Sequence, residues 1–163
     1  MFTDTKAARE LFEAHVPHAD ATFLVLKAQL VLEATLLRFI EARLPPPLAK
    51  EIVESRDVGF AARVLVARAL ASRDEVPIEN ADILWPALKY LGALRNQLAH
   101  NLIHEGSSIQ DRMRQFVQLV DSSGGLFGTE WTDDHLFFVF RESSSYLNSL
   151  LTIVRAPISA SEL

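Results

Sequence analysis

Between Asp20 and the run Pro45-Pro46-Pro47 lie 24 residues, ATFLVLKAQLVLEATLLRFIEARL, with no glycine or proline among them. As a single helix they reach roughly 36 Å at 1.5 Å per residue. Asp20 is placed to cap the start and the prolines to stop the end. The apolar side chains wrap nearly all the way round, leaving Lys27, Gln29, Glu33, Arg38, Glu41 and Arg43 as the polar exceptions. A helix apolar on most faces has to be covered on most faces. The run therefore predicts a central helix, or one shared between a core and a partner.

The rest of the chain supplies its cover in helical form. Residues 3–15 carry helix formers with an apolar trace at Ala7, Leu11 and Ala14, closed by Pro17. After the prolines, PLAKEIVES reads as a short helix and Gly59 interrupts it. FAARVLVARALASRD then places Phe60, Val64, Ala67 and Leu70 on one stripe with Arg63, Arg68 and Arg73 outside it. Asn80 or Asp82 can cap the next helix, in which Pro86 falls early enough for its missing N–H to cost little. Ser108, with Asp111 three residues on, resembles a capping box for a helix ending near Val120. DSSGGLFGTEWTDD holds three of the six glycines and reads as the one long loop, whose Phe127 and Trp131 could stack on a base but are expected to anchor the loop to the core. In HLFFVFRESSSYLNSLLTIVR the aromatic start would suit a strand. The apolar pattern continues at Tyr146, Leu147, Leu150, Leu151 and Val154, however, and no pairing strand exists, so a helix is expected. The fold expected is all-α: one domain over residues 1–156, an antiparallel bundle of about five longer helices plus short ones, and a loose tail at 157–163.

Composition narrows the function classes. A length of 163 residues suits one domain. A hydrophobic fraction of 49% against 23% charged, with positive mean hydropathy, is more apolar surface than a monomer needs, and predicts an oligomer. The absence of cysteine removes disulfides, thiol nucleophiles and thiolate zinc sites. No membrane-length apolar run occurs, and MFTDTKAARELFEAH is charged where a signal peptide is apolar, so a cytoplasmic protein is expected. The net charge of −5 argues against a broadly basic surface that coats nucleic acid non-specifically, whether DNA or RNA. Any RNA contact would be local.

The residues that stand out are polar ones in LGALRNQLAHNLIHE, residues 91–105: Arg95, Asn96, His100 and His104. Leu91, Leu94, Leu98 and Leu102 make the apolar face of this helix, so the polar group borders the core. Arg95 and His100 diverge by about 140° on an ideal helix, while Asn96 and His100 share a face. Two readings follow. In the structural one, Arg95 pairs with a carboxylate such as Glu33 while His100 and Asn101 finish the helix near Gly106. In the chemical one, Arg95 and His100 form a catalytic pair. His104 lies four residues beyond His100, the spacing of a helical metal pair, but HNLIHE lacks the Glu of H-E-x-x-H and no third ligand is near. No metal or other cofactor is expected, and His104 suits a helix C-terminal cation. Arg56, Arg63, Arg68 and Arg73 read as a solvated face or a modest phosphate-binding flank. Arg112 and Arg114 open a helix against its dipole, which points to an acidic partner or RNA.

The block LRNQLAHNL resembles the R-N-x-x-x-H form of the R-x4-6-H motif of HEPN domains. Upstream, AQLVLEATLLRFIEARL is similar to the long HEPN helix with an internal Glu, and FAARVLVARAL to the helix that follows it. The resemblance covers about residues 20–104, and its specific part is residues 94–100. Mannitol-repressor-type regulators are similar in layout but lack the Arg/His pair. The resemblance implies metal-independent RNA cleavage, in which a ribose 2′-OH attacks the adjacent phosphate. Arg95 would hold the phosphate, His100 would move the protons, and Asn96 would orient the imidazole or bind phosphate. One motif supplies one imidazole, so a two-fold dimer apposing two motif helices is implied. The family's toxin members imply an antitoxin partner. Its non-catalytic members imply the alternative, a regulatory or interaction module.

Overall fold

The structure, a computed structural model, describes residues 20–100, 106–122, 125, 127, 128 and 131–153, together with Lys6, Ala7, Glu10 and Ala14. Those four early residues are helical, in keeping with the helix expected at 3–15, whose other positions lie outside the described residues, as does the tail at 157–163. Six helices with defined bounds follow: α1 (Ala21–Glu41), α2 (Pro46–Glu54), α3 (Phe60–Arg73), α4 (Ala81–Ala99), α5 (Gly106–Val120) and α6 (Asp133–Ile153). Among the described residues there is no strand, and no helix is long and apolar enough to cross a membrane. The chain is an all-α helical bundle.

Asp20 starts α1 as its side chain predicts: Oδ1 accepts the backbone N–H of Phe23 at 3.0 Å. The prolines stop α1 and open α2, whose first turn has no need of their missing N–H groups. The central position expected of α1 is the one it takes. It packs against α2, α3, α4, α5 and α6, and Leu24, Leu32, Leu36, Phe39 and Ile40 are fully buried. The aromatic run at 136–140 is helical because burial follows helical spacing: Leu136, Val139 and Phe140 are buried while Phe138 faces outward. Phe140 meets Phe116 of α5 with ring centroids 4.9 Å apart. Deeper still, the Thr35 hydroxyl of α1 donates to Asn148 Oδ1 of α6 at 2.6 Å, the two side chains meeting a polar need inside the core.

The loop after α5 is tied down. The buried Asp121 carboxylate accepts the N–H groups of Gly125 at 3.1 Å and Phe127 at 2.8 Å. Trp131 Nε1 donates to the Phe127 carbonyl at 2.7 Å, and both aromatic side chains pack partly buried against the core. They are loop anchors.

Between α3 and α4 the chain depends on one glycine. A Cβ at Gly92 would lie 2.6 Å from Cδ1 of the Phe60 ring, inside any real contact distance. Its absence lets the ring lie flush on α4 and sets how closely the starts of α3 and the middle of α4 approach.

Candidate functional site

A groove of about 670 Å³ opens where α1, the α2–α3 connection, α3 and α4 come together. That is within the size range of small-molecule sites. α1 contributes Gln29, Leu30 and Glu33, the connection Arg56, Val58 and Gly59, α3 Phe60, Ala61 and Arg63, and α4 Lys89, Gly92, Ala93, Arg95 and Asn96.

Arg63 holds this arrangement together. Its guanidinium donates to Glu33 of α1 and, through Nη2, to the carbonyls of Val53 and Ser55, both at 3.1 Å. Gln29 Nε2 donates to the other Glu33 oxygen at 2.8 Å. The Arg63 and Glu33 side chains are only 13% and 18% exposed. Arg63 is thus a latch across three segments and not part of a solvated face, and Glu33 is its partner. The pairing of Arg95 with Glu33 offered by the structural reading is thereby excluded, while that reading's helix end at His100 is the one observed. The reason is geometric: packing turns the Arg63 side of α3 toward α1, while Arg95 stays at the groove rim.

The other arginines divide in the same way. Arg73 is bound to Asp74, at 2.6 Å and 3.0 Å, and to the Arg43 carbonyl at 3.1 Å. This hydrogen-bonded Arg73, with further attraction from Arg43, holds the Asp74 carboxyl below the usual carboxylate range. Arg43 is itself lowered by desolvation, its guanidinium lying 3.9 Å from the Phe39 ring centre. Arg68 is exposed, and Arg114 stands 3.6 Å from Asp111.

Of the predicted site residues, Arg95 and Asn96 are brought together in the groove. Both are exposed, and Arg95 Nη1 donates to Asn96 Oδ1 at 3.3 Å. Among the described residues Arg95 makes no ion pair. His100 closes α4 as its C-terminal cap, its N–H donating to the Asn96 carbonyl at 3.1 Å, and its exposed side chain is outside the groove lining. Leu91 and Leu94 are buried and Leu98 half-buried, as the apolar face requires. Asn101, Leu102 and His104 lie outside the described residues. Among the described ones, no three acidic or histidine side chains gather as metal ligands.

The groove also contains residues that reading along the chain passes over. Lys89, Gly92 and Ala93 fall with the already noted Asn96 at i, i+3, i+4 and i+7 of α4, one stripe without a large apolar side chain. That spacing is the sequence signal of a shallow surface. Gly59 caps α3 with an extended backbone and no side chain, so Asp, Ser or Thr is missing where one would normally occupy the first N–H groups. The charge balance is local: Arg56, Arg63, Lys89 and Arg95 against Glu33 and Glu54. Arg63 neutralises Glu33, and Lys50 stands 4.0 Å from Glu54. Arg56, Lys89 and Arg95 are left with no carboxylate partner among the described residues, in a chain whose net charge is −5. No family model, curated protein or solved structure matches this chain.

Proposed function

We propose that the chain is a metal-independent endoribonuclease of the HEPN kind, acting in the cytoplasm as a two-fold homodimer. The observation that carries this reading is Arg95: its guanidinium is exposed at a groove rim, it has no carboxylate partner among the described residues, and Glu33 is taken by Arg63. An arginine left unpaired beside two other unpaired cations suits a phosphodiester better than a structural role.

In the reaction, a base removes the proton of a ribose 2′-OH, the oxygen attacks phosphorus, and an acid protonates the departing 5′-oxygen. The products are a 2′,3′-cyclic phosphate and a free 5′-hydroxyl. Arg95 stabilises charge on the phosphoryl oxygens and Asn96 steadies them or the imidazole. His100 from one protomer and His100 from its partner divide the proton transfers. The exposed apolar side chain of Leu65 (65%), which is not in the groove lining, supports association of two copies. On this reading the chain is the toxin of a toxin–antitoxin pair, with the antitoxin as its protein partner.

Purified protein is expected to cleave RNA in excess EDTA and leave cyclic phosphate ends, and to scatter light as a dimer. His100→Ala and Arg95→Ala should each lower the rate by about 10²-fold or more while staying folded. A second reading is favoured by one observation, that His100 is not part of the groove lining. In it the groove binds phosphate without turnover and the chain is a regulatory or interaction module. Intact RNA under all conditions, with a monomer in solution, would select that reading.

A further inference from the structure

Arg56 and Lys89 have no part in the chemistry assigned to Arg95 and His100. They reach the groove from different segments, the α2–α3 connection and the first half of α4, and both are exposed and unpaired among the described residues. Two carboxylates line the same groove, but Arg63 and Gln29 occupy Glu33, and Glu54 has Lys50 beside it. Two cations therefore line one groove without a carboxylate among the described residues bonded to either. An anion entering the groove meets positive charge from both sides of its lining.

The wall between them adds donors of the same preference. Gly59 leaves the N-terminus of α3 without a side-chain cap, and Gly59, Phe60 and Ala61 line the groove. Beside these donors lie Val58, the half-buried Phe60 ring and the exposed Leu30, an apolar surface for whatever the anion is attached to.

We infer that the groove of about 670 Å³ is a binding site for a phosphorylated ligand, with the phosphate held between Arg56 and Lys89 and the organic part resting on Phe60 and Leu30. A guanidinium forks onto phosphoryl oxygens and an ammonium adds a point charge, while the Phe60 and Ala61 N–H groups supply further donors. The volume exceeds what a bare phosphate fills and is sufficient for a small organic phosphate. A terminal phosphate on a small ester and an internal phosphate of an RNA strand share this chemistry. The binding does not rest on cleavage.

Titration calorimetry of the full chain with inorganic phosphate, ribose 5-phosphate and a short unstructured RNA bearing a 5′-hydroxyl tests the site. The Phe60 and Ala61 amide resonances report where each ligand sits. Two variants accompany the wild type. Arg56→Gln with Lys89→Gln removes both cations and should weaken binding about tenfold or more. Gly59→Asp meets nothing within 4 Å of its new Cβ, and its carboxylate caps α3 from inside the site. It should abolish binding without lowering the melting temperature, an outcome that unfolding cannot imitate. Binding of ribose 5-phosphate but not RNA identifies a small ester as the ligand, and the reverse identifies a strand. Silence of all three ligands, or binding that survives in both variants, overturns the site. RNA cleavage together with ligand binding that both variants leave intact keeps the proposed function and removes this inference, whereas binding that the variants lose, with no RNA cleaved, does the opposite.

Discussion

Replacing Arg63 with Met should be far more damaging than replacing Arg95 with Met. Arg63 carries one charge-assisted bond to Glu33 and two bonds to the Val53 and Ser55 carbonyls. Methionine fills much of the same volume and supplies none of them. Removing one member of a fully buried ion pair typically costs about 3–5 kcal/mol, because its partner stays charged and unpaired. Here the side chains keep 13% and 18% exposure, so water partly re-solvates Glu33, and Gln29 continues to donate to it. The expected loss is thus about 2–3 kcal/mol, a fall in melting temperature of about 5–10 °C for a domain of this size. Arg95→Met, with one long bond at 3.3 Å to its neighbour, should change stability by less than about 0.5 kcal/mol. Urea unfolding of the two variants side by side measures both. Equal costs, or a larger one for Arg95, would refute the assignment of Glu33 to Arg63. A cycle with Glu33→Gln checks the coupling directly.

Gly92→Ala gains about 1 kcal/mol in helix propensity but forces a Cβ to 2.6 Å from the Phe60 ring, an overpacking that costs about 1–3 kcal/mol. Net loss in denaturant unfolding, recovered by adding Phe60→Leu, is the expected result, and simple stabilisation by Gly92→Ala would mean the ring swings aside freely. Asp74→Asn tests the depressed carboxyl beside Arg73. A lowered folded pKa contributes stability above the unfolded pKa and loses it as pH falls through the folded one. The variant should therefore melt below wild type at neutral pH, with the gap closing in acid, and a gap independent of pH would show that the ion pair is not its source.

What could be read along the chain was what local chemistry marks. Asp20 and the three prolines delimit α1 and α2 because a cap and a stop act within one turn. The run at 136–140 was readable as a helix from the spacing that continues beyond it. The partner of Glu33 was not readable. Several arginines follow it at helical spacing, and the angle at which α3 crosses α1 selects Arg63 among them. The groove escaped for a similar reason, being assembled from four segments whose individual composition is unremarkable. Arg95 and Asn96 were identified from the motif, but their neighbours Arg56 and Lys89 became visible as neighbours only through the packing of α3 against α4, which Gly92 permits.

The hydrogen bond from Thr35 to Asn148 spans 113 residues of chain, and α1 packs more extensively on α6 than on any other helix. At roughly 5–20 residues per second, a ribosome needs on the order of ten seconds to make that intervening stretch. For most of that interval α1 is complete while its principal neighbour does not yet exist. Helical bundles usually fold quickly through contacts between adjacent helices, yet this one closes on its most distant pair, a burden more typical of β-proteins. Until α6 arrives, α1 has only α2 to α5 to cover it, so synthesis interrupted before residue 133 leaves the face around Thr35 without its partner.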